Sequence, residues 1–262
     1  MTSKTEPRLL CYDLGEGVTA FSTTRHGGVS EANYASFNIN PYCGDSADHV
    51  ARNRQLLADR LGLPASHIVL PHQVHGIEHR AVAPELLDMS DAVRDKILDG
   101  VDMVTTSMTG VCIGVSTADC IPVLLYDPVA RATAAIHAGW RGTLQRICQR
   151  AVMAMQLHYG TTPDRLRAVV GPGISLANFE VGQEVYDQFV QAGFDLTETA
   201  EWHTKWHLDL PGINIRELIS CGVAPEHIHH AGICTFDHAD DYFSARRLGI
   251  DSGRIYTGIL MQ

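Results

Sequence analysis

Four consecutive segments of the sequence read VDMVTTS (101–107), VCIGVST (111–117), IPVLLYD (121–127) and ATAAIHA (132–138). They are rich in apolar and β-branched residues, have the length of strands, and are separated by short polar or glycine-containing connections, so they predict four neighbouring β-strands. The connection PVAR at 128–131 is short enough for an antiparallel hairpin. This block therefore predicts the centre of a β-sheet.

Helix-like and strand-like segments surround this block and alternate irregularly. Apolar periodicity and capping residues predict helices at Ala47–Leu61 after Asp45 or Ser46, at 144–158, at 180–191, and from Pro211 after Asp209 to just before Gly222. Further strands are predicted at 17–23, 67–76, 77–83, 166–171, 227–236 and 254–260. Because many strands are adjacent in the sequence, we expect an α+β fold with mixed sheets and packed helices.

The composition restricts the class of protein. With 262 residues, 45% hydrophobic and 19% charged, the chain fits one compact domain spanning 1–262. A net charge of -10 argues against nucleic acid or an anionic membrane as partner, although a local basic pocket for phosphate is compatible with it. No stretch resembles a signal peptide or a membrane span, and the seven cysteines are scattered. We expect a cytoplasmic monomer with reduced thiols.

The predicted hairpin brings together two residues, Cys120 and His137, whose side chains can take part in catalysis or bind a metal. If Asp127 pairs with Ala132, His137 falls opposite Pro122, and Cys120 falls opposite Gly139. A cysteine and a histidine at one end of a hairpin suit a nucleophile with its base or a metal site. A buried thiol beside a hydrogen-bonded histidine is the third interpretation, and spacing alone favours it over the other two.

A second histidine-containing segment is PHQVHG at 71–76. In extended chain His72 and His75 point to opposite faces, so at most one of them joins the end of the hairpin. Gly76 allows close backbone approach beside His75. His72 is more simply explained as exposed or hydrogen-bonded.

Seven ordered segments of the chain resemble one known family. They are STTRHGGVS (22–30), FNINPYCGD with DHVARNR (37–45 and 48–54), QVHG (73–76), TADCIPVLLYD (117–127), HAGWRGT (137–143), GPGI with NFEVG (171–174 and 178–182), and CTF with FSARR (234–236 and 243–247). The chain resembles the YfiH-like family, first described as multicopper polyphenol oxidases (laccases) and now as purine nucleoside phosphorylases. This resemblance implies an α+β architecture in which two partly similar halves pack around one site.

The resemblance also implies a metal and an activity. The family's ligands correspond to His75, Cys120 and His137, which would hold a catalytic Zn²⁺; copper is the less favoured metal. The implied reaction is phosphorolysis of adenosine, inosine and methylthioadenosine, with adenosine deamination as a companion activity. Phosphate would attack the anomeric carbon as the purine leaves, and water activated at the metal would attack C6 of adenine. The implied partners are thus a purine nucleoside and phosphate.

Five further residues are predicted to serve this chemistry. Arg25, which precedes Gly27-Gly28, is the first choice for binding phosphate, and Arg141 is the second. Asn38 and Gln73 are predicted to hold ribose hydroxyls or a base edge. Asp119 is predicted to accept a proton or to orient a ligating histidine.

Three alternatives stay open at this point. A Cys–His hydrolase, for example one that edits cell-wall precursors, would use Cys120 as nucleophile and His137 as base and would leave His75 unused. A copper polyphenol oxidase would need more paired histidines than this chain has. A structural metal clip would need a fourth protein ligand, for which His72 is the candidate.

Overall fold

A computed structural model describes residues 6–262. The strands are β1 (Leu9–Tyr12), β2 (Val18–Thr23), β3 (Ile68–Val69), β4 (Glu78–Ala81), β5 (Val101–Thr106), β6 (Cys112–Thr117), β7 (Ile121–Asp127), β8 (Ala132–Ala138), β9 (Arg167–Val170), β10 (Glu180–Val181), β11 (Ala200–Trp202), β12 (Trp206–Leu208), β13 (Ile228–His230) and β14 (Ile255–Met261). The helices are α1 (Ala47–Leu61), α2 (Pro84–Asp88), α3 (Asp91–Leu98), α4 (Trp140–Leu144), α5 (Ile147–Tyr159), α6 (Gln183–Gln191), α7 (Leu210–Ser220) and α8 (Ala245–Leu248).

Two mixed sheets dominate this part of the chain. One has the order β1-β2-β14-β6-β3 and the other β13-β9-β7-β8-β5-β4, while β10, β12 and β11 form a small third sheet. The four strands predicted as the centre of a sheet are divided, since β6 lies in the first sheet and β5, β7 and β8 lie in the second. The predicted α+β class with mixed sheets is confirmed.

The two large sheets pack face to face between helices. Along β7, Leu124 and Tyr126 belong to the core that the two sheets share, whereas Val123 and Leu125 face a core closed by α5 and α7. Both sides of the strand are buried, which explains its continuous apolar run. On the far side of the five-stranded sheet, Leu57 of α1 packs in a third core. The result is a helix–sheet–sheet–helix arrangement.

A common unit recurs in both sheets, as the implied similarity of two halves requires. α1 is followed by one turn of 3-10 helix and by β3, which pairs in parallel with β6. α7 is likewise followed by a 3-10 turn and by β13, which pairs in parallel with β9. Each of the two large sheets thus ends on a short parallel strand supplied by the same sequence of elements.

Several predicted elements differ from the structure in their limits. The helix predicted at 144–158 is interrupted at Arg146, which has φ 60°, and continues as α5. The start of the helix predicted at 180–191 is instead β10, because Glu180 and Val181 pair with β12. Most of 67–76 and 227–236 lies outside strands. α1 matches its prediction, and the Asp209 carboxylate accepts the Gly212 N–H at the start of α7.

None of the helices in residues 6–262 combines the length and the apolar character that crossing a membrane requires.

Candidate metal centre

The register of the β7–β8 hairpin places His137. Asp127 pairs with Ala132 and Pro122 pairs with His137, as predicted. The last pair is Ile121 with Ala138, so Cys120 and Gly139 lie just beyond the ladder on neighbouring chains. The hairpin prediction is therefore confirmed at the end where the chemical residues lie.

A sharp bend separates Cys120 from β6. Asp119 has φ 84°, in the left-handed region, and the strand stops at Thr117 and restarts at Ile121. The Asp119 carboxylate holds this bend in place, because it accepts hydrogen bonds from Thr235 Oγ1 and from the Arg246 N–H, each at 2.7 Å. The thiol of Cys120 is thereby turned toward the end of the hairpin.

The segment around His75 is folded onto one buried carboxylate. His75 has φ 64°, and the successive N–H groups of Val74, His75 and Gly76 donate to Asp102 at 3.2, 3.0 and 2.7 Å. Asp102 lies on β5 with a side chain that is 0% exposed. A left-handed backbone at a non-glycine residue is unfavourable unless surrounding contacts impose it, and here the three hydrogen bonds do so.

His75, Cys120 and His137 converge. Their ligand atoms all lie within 4.8 Å of one another, and the two imidazole centroids are 4.8 Å apart in an edge-on arrangement. Gly139 makes this approach possible, since a Cβ there would lie 3.0 Å from His75 Cδ2 and 3.1 Å from Cys120 Sγ. The absence of a side chain at Gly139 therefore leaves the space that His75 and Cys120 occupy.

Asp102 also fixes the orientation of His137. His137 Nδ1 lies 2.6 Å from Asp102 Oδ1, and both side chains are buried. Burial would raise the pKa of Asp102, but the hydrogen bond and charge of His137, with the N–H groups of Gly76 and Val74, hold it below its usual range. The carboxylate is therefore ionised and accepts from Nδ1, which leaves Nε2 free to act as a ligand.

The half-buried thiol of Cys120 is favoured as a thiolate. Burial alone would raise the pKa of Cys120, but the charge and hydrogen bonds of His137 and His75 outweigh it and bring the pKa to about 6. The pKa of His137 moves oppositely, to about 9, because burial is outweighed by Cys120 and Asp102. In the absence of a metal, the proton is thus held by His137 and the charge by Cys120.

These three side chains fit a divalent transition metal. One thiolate and two imidazoles are good zinc ligands, with bonds of about 2.0–2.3 Å that place tetrahedral neighbours roughly 3.5 Å apart. The mutual separations within 4.8 Å require only a small inward movement of the side chains. His72, the candidate for a fourth ligand, instead bonds Asp99 through Nδ1 at 2.6 Å. In the described part of the chain the cluster has three protein ligands.

A pocket of about 190 Å³ opens onto the cluster, and we call it the metal pocket. Its other lining residues are Asn40, Tyr42, Cys43, His72, Gln73, Ser116, Thr117, Ala118, Ala245, Ile250 and Arg254. Gln73 holds the wall together, because its side-chain amide donates to Ser116 O at 2.8 Å and accepts from Ser116 N at 2.7 Å. Of the predicted substrate residues, Gln73 is the one that lines the pocket.

The two arginines predicted to bind phosphate lie outside the lining of the metal pocket. Arg25 donates from Nε to Ala35 O and from Nη1 to Ala239 O, and its guanidinium lies over the ring of Phe243. Arg141 is exposed and stacks on Trp140. Their roles stay predictions.

Asn38 and Asp119 have structural partners. The Asn38 side chain is buried, donates to Asp45 and accepts the Arg254 N–H, so it supports the wall behind the pocket. For Asp119, the proposed contact with a ligating histidine is not formed, because Thr235 and Arg246 occupy its carboxylate. The orienting contact belongs to Asp102, which the sequence analysis missed. An isolated acid in the apolar strand VDMVTT was the available signal, since a buried charge requires partners.

Comparison with known proteins gives a consistent family. A family model described as "Multi-copper polyphenol oxidoreductase laccase" matches residues 19–262. A purine nucleoside phosphorylase of Bacteroides thetaiotaomicron is 44% identical over 247 residues, covering 93% of this chain and 92% of that protein. Adenosine deaminase RL5, from an unknown prokaryotic organism, is 40% identical and covers 93% and 94%.

A solved structure agrees with these matches. The Bacillus licheniformis hypothetical protein YfiH superimposes with a TM-score of 0.91 at 28% identity, covering 98% of this chain and 97% of that one. The fold, the sequence relatives and the family model coincide over nearly the whole chain. The chain therefore belongs to the YfiH family, whose family model carries the laccase description.

Proposed function

We propose that residues 1–262 form a single catalytic unit, a zinc-dependent purine nucleoside phosphorylase that acts on adenosine, inosine and methylthioadenosine and also deaminates adenosine. The observation that carries the proposal is the convergence of His75, Cys120 and His137 in the lining of the metal pocket. Relatives named purine nucleoside phosphorylase and adenosine deaminase support the substrate class.

The donor set favours zinc over copper. Three protein ligands with a free fourth position are typical of catalytic zinc. Copper electron-transfer sites add a weak axial ligand, commonly methionine, and no methionine of residues 6–262 lines the metal pocket. Multicopper oxidases need several histidine-rich sites. In residues 6–262, one group of at least three potential metal ligands occurs, and it is His75, Cys120 and His137. A polyphenol oxidase is accordingly the less favoured proposal.

A metal held by these residues would supply a Lewis acid and would lower the pKa of water near it. The protein's own part is positional. Asp102 keeps the Nδ1 proton of His137 and so presents Nε2, while Cys120 contributes negative charge. In phosphorolysis a phosphate oxygen bonds C1′ while the C1′–N9 bond breaks, and its electron pair stays on the departing purine. In deamination, water adds at C6 and ammonia leaves.

The pocket wall offers a surface for the base. The rings of Tyr42 and His72 lie with centroids 4.3 Å apart and planes tilted by 30°, and both residues line the pocket. Aromatic side chains accept nucleobases by stacking with little dependence on sequence. The amides of Asn40 and Gln73 on the same wall provide hydrogen-bonding groups beside this platform.

A second candidate function rests on a specific observation. Asp102, His137 and Cys120 are linked like a nucleophile, its base and an orienting acid, and the pKa of Cys120 is about 6. This arrangement would serve a metal-free Cys–His hydrolase. The position of His75 within the cluster argues for the metal, because such a hydrolase gives it no role.

A turnover assay separates these possibilities. Adenosine, inosine and methylthioadenosine are incubated with and without phosphate, and products are resolved by chromatography. Wild type and Cys11→Ala, which alters an exposed thiol, are expected to be active, and Cys120→Ala is expected to lose at least about a hundredfold. Activity that survives complete removal of the metal supports the hydrolase. A wild type inert toward all three nucleosides refutes the substrate assignment.

A further inference from the structure

The metal pocket contains a cation that no predicted role includes. Among the described residues that line it there is no aspartate or glutamate, and Arg254 is its single arginine. No carboxylate of residues 6–262 lies within 4 Å of the Arg254 guanidinium in an ion pair. A guanidinium in the pocket lining, together with a divalent metal that His75, Cys120 and His137 would hold, would favour an anion.

The Arg254 guanidinium is held rigidly by its own loop. Nη1 donates to Ser252 O at 2.6 Å and to Gly253 O at 3.0 Å, and Nη2 donates to Ile250 O at 2.9 Å. A guanidinium has five N–H donors. Nε–H and one N–H of Nη2 therefore remain without a protein acceptor in the described chain. A guanidinium fixed in this way, with two N–H donors free, can donate two hydrogen bonds to a phosphate.

A second group beside Arg254 also lacks a partner. Thr117 is 1% exposed, lines the same pocket, and its Oγ1 makes no hydrogen bond with the described residues. Thr117 pairs with Ile255 across β6 and β14, so Arg254 is the next residue along the neighbouring strand. A buried hydroxyl without a partner is unfavourable, and a ligand that accepts its hydrogen bond would remove that cost.

The chain then connects this pair to the metal ligands. Thr117 ends β6 three residues before Cys120, and the bend between them is fixed by Asp119. Arg254 also acts on Cys43, another residue of the pocket lining: burial raises the pKa of the Cys43 thiol, and the charge of the guanidinium partly offsets that rise. Both residues thus line the same pocket as His75, Cys120 and His137.

We infer that Arg254 and the Thr117 hydroxyl form the subsite for the phosphate co-substrate. The inference rests on the proposed phosphorolysis. Arg254 is preferred to the two arginines predicted from the sequence because Arg25 donates two hydrogen bonds to backbone carbonyls and Arg141 stacks on Trp140. Arg254 binds two phosphate oxygens through its free edge, and Thr117 donates to a third. Phosphate is thereby held beside the metal ligands, where it can meet C1′ of a nucleoside.

The test compares a reaction that uses phosphate with one that does not. Phosphorolysis of inosine is measured against phosphate concentration, and adenosine deamination is measured in phosphate-free buffer. For Arg254→Gln we expect the KM for phosphate to rise about 10–100-fold and deamination to change less than about twofold. Arg254→Lys should fall between. Thr117→Val should raise the KM for phosphate about fivefold, while Thr117→Ser, which keeps the hydroxyl, should resemble wild type.

Two matched control variants distinguish a loss of phosphate binding from a loss of protein stability. Arg150→Gln removes an exposed arginine on α5, and Thr161→Val removes another buried hydroxyl without a partner, outside the metal pocket. Neither should change the KM for phosphate. Because Arg254 also braces its loop, Thr117→Val and a thermal-shift titration of wild type with inorganic phosphate provide the test if Arg254→Gln fails to fold.

The outcomes separate this inference from the proposed function. Folded Arg254 and Thr117 variants with an unchanged KM for phosphate overturn the subsite, and so does an equal loss of phosphorolysis and deamination, which indicates a general structural role. Deamination by wild type without any phosphorolysis overturns the subsite and leaves nucleoside binding standing. A wild type inactive in both assays overturns the proposed function itself.

Discussion

Asp102→Asn removes one charge from the carboxylate that both orients His137 and folds the segment 74–76. One oxygen accepts from His75 N and His137 Nδ1, and the other accepts from Val74 N and Gly76 N. An asparagine keeps only one of these two acceptors. If its oxygen faces the histidines, its NH₂ confronts two backbone donors. If its NH₂ faces His137, the imidazole proton is forced onto Nε2, which can then no longer bind a metal.

The expected magnitude follows from the contacts that are lost. Two part-buried N–H donors without an acceptor cost about 1–3 kcal/mol each, so the free energy of unfolding should fall by about 2–6 kcal/mol. Loss of a carboxylate that supports a metal-binding histidine typically weakens metal binding about 10–100-fold. Zinc affinity measured by competition with a chromophoric chelator, together with thermal unfolding, reports both quantities.

Asp59→Asn on the surface of α1 makes the same charge change away from the cluster and should leave both quantities unchanged. A zinc affinity of Asp102→Asn within twofold of wild type would show that the carboxylate does not orient the ligand. A normal unfolding free energy would show that the three N–H contacts do not hold the segment.

Three further changes give separate tests. Gly139→Ala should fold normally, since φ is -69°, yet weaken zinc binding at least about tenfold, because the new Cβ would press on His75 and Cys120; normal zinc affinity by chelator competition would count against the geometry. His79 has its pKa lowered from 6.5 to about 4 by burial and by the charges of His158 and Arg80, so its contribution to stability is complete above about pH 6.5 and is lost as the pH falls toward 4. The loss of unfolding free energy between pH 6.5 and pH 4 should therefore be smaller in His79→Gln than in wild type, by on the order of 1–2 kcal/mol at this half-buried site. An unaltered pH profile by chemical denaturation would contradict the burial argument. Asp209→Ala, which removes the side-chain acceptor at the start of α7, should lower unfolding free energy by about 1 kcal/mol in the same assay, and no change would mean that the cap contributes nothing.

The local parts of the fold could be predicted from the sequence. The β7–β8 hairpin has strong strand segments and a short connection, so its register follows from the turn, and the position of His137 opposite Pro122 follows from the register. α1 has clear periodicity and ends at Gly62, which takes the left-handed conformation. These features depend on neighbours in the sequence.

The remaining features depend on contacts between distant segments. Glu180 and Val181 form a strand because β12 lies beside them, although their local sequence also suits a helix. The contact of Asp102 with residues 74–76 joins two segments whose spacing gives no sign of it. Arg254 enters the pocket because β14 pairs with β6, and that pairing crosses more than a hundred residues of chain.

Resemblance to a family, rather than spacing, singled out His75. From the residues alone, a buried Cys120–His137 pair was favoured over a nucleophile with its base or a metal site. The structure adds the left-handed turn at His75 that brings its ring against His137. A turn of this kind is imposed by Asp102 and could not be inferred from PHQVHG itself.

The most direct measurement of the central proposal is anomalous scattering from crystals of the purified protein, recorded on both sides of the zinc absorption edge. We predict a single strong site bonded to nitrogens of His75 and His137 at about 2.0–2.1 Å and to Cys120 Sγ at about 2.3 Å, with the remaining position open to the pocket. An anomalous site away from these side chains, or a zinc ion bound without Cys120, would contradict it.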